Sequence, residues 1–179
     1  MNLEKSVKAD ILLGASLIIL ILASRLTSHI WNFTVVGGVA LLAGAYFSNK
    51  YLAVVMLFLG LILSDLVLGF HQQMFSVYFS YAVIVGLGVL VNQNAARLKV
   101  FSFSLLGACL FFLITNFAVW YSGLMYPLNW EGLTNCFTMA IPFFRAQVTS
   151  DLISALVLFE LAARLKLPNT LTETVRLKF

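Results

Sequence analysis

A chain of 179 residues that is 61% hydrophobic and 10% charged, with a mean hydropathy of +0.99, cannot coat a soluble globule, since soluble domains carry about 25% charged residues. Lipid must be the solvent for most of its surface, and one domain with no linker or internal repeat accounts for the length. The net charge of +4 is explained by membrane topology, and no nucleic-acid partner is expected.

The first apolar segment, residues 8–26, follows Lys5 and Lys8 as a signal peptide would. It continues into Arg25 without a small-x-small cleavage site, so an uncleaved helix is expected. The second segment, 34–47, is shorter than the roughly 20 residues a spanning helix needs. It is also the smoothest, with Gly37, Gly38, Ala40, Ala43, Gly44 and Ala45, and the Ala40/Gly44 spacing suits close helix approach. Segments 51–70, 74–91, 100–121 and 139–163 complete a set of six, and 164–179 is left as a tail.

Parity of the positive charges decides that the second segment spans. With six spans and the N-terminus inside, Lys5, Lys8, Lys50, Arg97, Lys99, Arg164, Lys166, Arg176 and Lys178 gather on one side, leaving Arg25 and Arg145 for the other. The expected architecture is therefore an all-α membrane protein: six transmembrane helices in a compact bundle with both termini cytoplasmic, a single integral domain of the bacterial inner membrane.

Polar side chains are sorted between the two ends. The connections 48–50 and 92–99 are plain, whereas 27–33, 71–73 and 122–138 carry His, Gln, Asn, Trp and Tyr. Ionisable groups inside spans cost at least about 2.5–3.5 kcal/mol at mid-bilayer, so each needs a reason. Asp65 lies in the outer third of the third helix. Arg145, Gln147 and Asp151 occupy the outer turns of the sixth, with Gln147 and Asp151 sharing a face at i,i+4. Asn116 and Trp120 share a face near the outer end of the fifth. The same charges serve as an internal staple if Asp65, Arg145 and Asp151 neutralise one another. A staple alone does not explain Asn116, Gln147, His71, Gln72, Gln73, Asn129, Trp130 and Glu131 at the same depth. Trp31, Trp120, Trp130, Tyr121 and Tyr126 also fit an interfacial aromatic belt. The turn-rich run Tyr126 to Gly132 is expected to form a lid, and Pro142 to kink the entry of the sixth helix. Glu160 is expected to pair with Arg164 at i,i+4.

Catalytic and metal chemistry find little footing. Cys109 and Cys136 form no metal-ligand spacing and no disulfide is expected between them. His29 and His71 belong to no HExxH or nucleophile elbow, and there is no P-loop. No cofactor or resident metal is predicted.

The stretches Asn32-Phe33-Thr34, Gly44-Ala45-Tyr46-Phe47, Ser64-Asp65-Leu66-Val67-Leu68-Gly69-Phe70-His71, Ile114-Thr115-Asn116-Phe117, Met125-Tyr126-Pro127 and Ala140-Ile141-Pro142-Phe143-Phe144 resemble a bacterial inner-membrane family of unknown function. More distantly, the chain resembles the substrate-binding S components of energy-coupling-factor vitamin transporters. That resemblance implies a six-helix fold, a vitamin or metal-ion site near the outer face, and a membrane coupling subunit with ATPases as partners. Cobalamin-binding relatives place a cysteine after the third helix. His71 and Met74 stand in that region here, so cobalt ligation by cysteine is not expected. The first helix also lacks an Ala-xxx-Ala coupling motif.

The function these residues suggest is binding and uptake of a small solute, a vitamin or related micronutrient. The pocket would be built from Asp65, His71, Gln72, Asn116, Trp120, Trp130, Arg145, Gln147 and Asp151. Asp65 and Asp151 would accept hydrogen bonds or face a cation, Arg145 would hold an anion or the two carboxylates, and Trp120 and Trp130 would stack on a ring. A membrane-embedded enzyme and a structural or assembly subunit are the alternatives.

Overall fold

The computed structural model describes residues 3–28, 32–165 and 167, with side chains from Val7 onward. His29, Trp31, Lys5, Lys166, Arg176 and Lys178, all used in the charge and aromatic patterns, lie outside the described residues or side chains. Among the described residues six helices follow one another: α1 (Leu3–Thr27), α2 (Val36–Tyr46), α3 (Lys50–Leu68), α4 (Met74–Val89), α5 (Arg97–Tyr121) and α6 (Trp130–Arg164). No strand occurs among the described residues. α1, α3, α5 and α6 are long and apolar enough to cross a membrane, whereas α2 and α4 are shorter apolar helices. Large apolar side chains such as Leu12, Val67 and Leu98 stand fully outward on the long helices, which suits lipid as solvent.

The second segment is the first departure from expectation. It is an 11-residue helix in which every residue is buried. At 1.5 Å per residue it is about 16 Å long, half the hydrocarbon thickness. Its small side chains let the other elements close around it: α2 packs chiefly on α4 and α6 and also touches α1, α3 and α5. A Cβ on Gly44 would collide with the Val85 carbonyl, and one on Gly88 with the Leu41 carbonyl. Only glycine at these facing positions lets the two backbones meet. Around this axis α1 pairs with α3 and α5 with α6.

The sixth helix is the second departure. It starts at Trp130, not near 139, and runs for 35 residues, about 52 Å. The polar run 130–138 was expected to be loop because its composition is hydrophilic. It is helical because the Asn129 side chain accepts the Gly132 N–H at 2.8 Å, capping the first turn, and Glu131 sits where the helix dipole favours an acid. The connection before it shrinks to 122–129, and Pro142 lies well inside the helix instead of at its entry.

One end of the bundle gathers the 48–50 turn, the 90–96 connection and the end of α6. Its interior is not plain, contrary to expectation. Asp10 of α1, 3% exposed, accepts the Ser48 and Asn49 N–H groups at 3.2 Å and the Ser48 hydroxyl at 2.5 Å. The Asn49 side chain in turn accepts the Tyr51 and Leu52 N–H groups, so α1 fixes the start of α3. Lys50 Nζ donates to the Gly44 and Phe47 carbonyls that end α2, where a cation complements the negative end of the helix dipole. Tyr46 donates its O–H to the Gln93 carbonyl at 3.1 Å. At the surface, Glu160 meets Arg164 one turn on, as its spacing predicted, and also Arg97 of α5, each at 3.0 Å.

Candidate functional site

At the opposite end a cavity of about 700 Å³ opens between the helices. It is lined by Arg25 and Ser28 at the end of α1, Asn32 and Thr34 ahead of α2, Asp65, Leu68, Gly69 and His71 around the end of α3, Val77 and Tyr81 of α4, Phe111 of α5, and Gln147 of α6. The cavity exists because α3 and α4, consecutive in the chain, make few contacts with each other, and the short α2 leaves the space beside its N-terminal end unfilled.

An ion pair forms one wall. Arg25 Nη2 donates to Asp65 Oδ1 at 2.6 Å and Nη1 donates to Ser64 Oγ at 2.8 Å. From α4, the Tyr78 hydroxyl donates to Asp65 Oδ2 at 2.6 Å. Asp65 is 1% exposed and both oxygens are engaged, while the Arg25 side chain keeps 16% of its surface. A charge-assisted cluster of this kind ties α1, α3 and α4 together at one depth. The Phe58 ring packs tilted against the Tyr78 ring, with centroids 5.3 Å apart and planes at 44°.

Asp151 lies deeper, in contact with α2. It is 3% exposed, accepts from Gln147 Nε2 at 3.4 Å and lies against Gly37. A Cβ on Gly37 would occupy the position of this carboxylate. Glycine is therefore what allows Asp151 to reach the first turn of α2, where unpaired N–H groups favour an acid. One turn on, Ser154 and Ala155 fill the space beside Gly38 in the same way.

The structure divides the residues nominated from sequence. Asp65, His71 and Gln147 line the cavity, and Asp151 touches Gln147 from beneath. Gln72 is exposed beside His71 and does not line it. Asn116 donates from Nδ2 to the Phe112 backbone carbonyl of its own helix at 2.8 Å, its backbone carbonyl accepts the Cys136 thiol at 3.4 Å, and it does not line the cavity. Trp120 Nε1 donates to the Pro127 carbonyl at 3.0 Å, which folds the 122–129 connection back on the end of α5. That connection contributes no residue to the cavity wall, so the expected lid is a clamp on its own helix pair. Trp130 is 77% exposed. Arg145 is exposed too, and Arg25, assigned no role from sequence, is the cation that holds Asp65. Tyr78, Tyr81, Thr34 and Arg25 are the members that sequence reasoning missed. Arg25 and Asp65 sit at matching depths near the ends of parallel helices, which was the available signal.

A family model described as a family of unknown function, DUF6580, matches residues 5–172. The chain belongs to the DUF6580 family. No curated protein and no solved structure matches this DUF6580 member.

Proposed function

We propose that this DUF6580 protein binds a small solute in the cavity beside Arg25 and Asp65 and serves its uptake across the bacterial cytoplasmic membrane. The cavity carries the proposal. Its volume of about 700 Å³ falls in the range of small-molecule pockets, roughly 300–1,000 Å³, which combine apolar walls with a few placed polar groups. Val77, Leu68, Phe111 and Tyr81 supply such walls, and Arg25, His71, Thr34 and Gln147 supply the polar points.

The distribution of cations supports placing the cavity on the outer face. Lys8, Lys50, Arg97, Lys99 and Arg164 gather at the other end, and cytoplasmic ends carry the Lys and Arg excess. A vitamin-sized micronutrient suits the volume. We further propose a membrane coupling subunit and ATPases as partners, by analogy with the transporter S components that the sequence distantly resembles.

Thermal unfolding of the purified protein against vitamins, nucleosides and metal ions tests the proposal. A ligand at 100 times its Kd adds about 2.7 kcal/mol. A hit recovered unchanged supports uptake, and a hit consumed supports a membrane enzyme. A second reading, an assembly subunit, draws on α6, whose length of about 52 Å exceeds a bilayer and whose first residue, Trp130, stands exposed. Absence of any hit favours it.

A further inference from the structure

We infer that the solute held in this cavity is an anion, a carboxylate or phosphate, and that Arg25 is its counter-charge. The inference rests on the cavity being a binding site and adds the chemical class of its occupant.

The argument is a count of what the wall offers. A guanidinium has five N–H donors, and among the described residues two are taken, by Ser64 Oγ and Asp65 Oδ1. The remaining N–H groups belong to a side chain that lines the cavity and keeps 16% of its surface exposed. Both carboxylates are withheld. Asp65 is 1% exposed, with one oxygen on Arg25 and the other on Tyr78. Asp151 is 3% exposed, bonded to Gln147, packed against Gly37 of α2, and absent from the wall. A cationic ligand would find no carboxylate oxygen to meet, although sequence reasoning gave both acids that task. An anion meets the free guanidinium edge, with Thr34 and His71 nearby as further donors. Bonded to that edge, it sits nearer the guanidinium than the carboxylate held at another edge, so attraction exceeds repulsion. Planar bidentate recognition of carboxylate or phosphate is what arginine does best. The aromatic rings of Tyr81 and Phe111 complete a wall for a flat organic body.

Benzoate and benzamide, matched in shape and differing in charge, provide the test. The full chain in detergent micelles is titrated with each at fixed ionic strength, and thermal unfolding is followed. Saturable stabilisation by benzoate, at least tenfold tighter than by benzamide, is expected. Arg25→Gln/Asp65→Asn removes both charges together, so no buried carboxylate is orphaned, and should erase the preference. Arg164→Gln, at the other end, should keep it, which excludes diffuse attraction to a cationic protein. The wild-type comparison stands even if the double variant fails to fold. Equal response to both probes, or a preference for benzamide, overturns the anion and leaves the binding site intact. No saturable response to benzoate also overturns it, while the metabolite screen decides the binding site separately. Inorganic phosphate titrated in the same way separates the two anion sources: competition with benzoate assigns phosphate to the same edge, and its absence assigns the edge to carboxylates.

Discussion

Breaking the Arg25–Asp65 pair should reveal how strongly the two charges depend on each other. The pair is 2.6 Å apart, and Asp65 is almost sealed from solvent. With an effective dielectric constant of about 20 and charge centres near 4 Å, the Coulomb term is about 4 kcal/mol. Arg25→Gln leaves a buried carboxylate with Ser64 and Tyr78 as neighbours and no cation, a loss of about 3 kcal/mol on the scale of buried pairs. Asp65→Asn leaves a cation that still reaches the cavity, and about 2 kcal/mol is expected. Removing both charges together should cost about as much as Asp65→Asn alone, because neither partner is then stranded. Reversible unfolding in mixed micelles measures the cycle, with a coupling energy of about 3 kcal/mol expected. Additivity of the two single changes within about 0.5 kcal/mol would refute the reasoning, since that is how independent sites behave.

Gly37→Ala should destabilise by about 1–3 kcal/mol through overpacking against Asp151, whereas Gly86→Ala, whose added methyl meets open space, should be neutral or stabilising by up to about 1 kcal/mol; the same unfolding assay reads both. Asp10→Ala removes three hydrogen bonds that start α3 and should cost about 2 kcal/mol. Lys50→Gln frees the two carbonyls that end α2 and should cost about 1 kcal/mol, so this residue is not the bystander its place in a short turn suggests. Trp130→Ala and Asn116→Ala should leave the benzoate response unchanged, because neither side chain lines the cavity; a lost response at Trp130 would restore the lid.

The long helices were legible because hydropathy over such a length is a bulk property, and α1, α3 and α5 all carry apolar runs of 19 residues or more. Glu160 and Arg164 were legible for a local reason, the i,i+4 spacing. Hydropathy failed where polarity and helicity part company, in the polar first turns of α6, although Asn129 three residues before Gly132 was a readable cap. For α2 the apolar run was visible but its role was not. A helix buried on all sides and a spanning helix look alike in composition, and length alone separates them. Depth placed Asp65 and Gln147 at the same end, and both line the cavity. Depth gives no azimuth, however. Asn116 and Arg145 share that end but do not line the cavity, while Arg25 had entered only the count of positive charges, as one of two left for the outer side. Tyr78 and Tyr81 carry no signal in sequence beyond that of any aromatic in a span.

Cysteine accessibility in intact cells addresses the claim that a solute enters this cavity from outside. Asn32→Cys, at the cavity rim, and Asn94→Cys, exposed at the opposite end, would each be introduced with Cys109 and Cys136 replaced by serine, then treated with a membrane-impermeant maleimide. Labelling at position 32, slowed by benzoate, with none at 94 until the cells are opened, is the predicted result. Labelling at 94 with protection at 32 would place the cavity on the cytoplasmic side and contradict uptake.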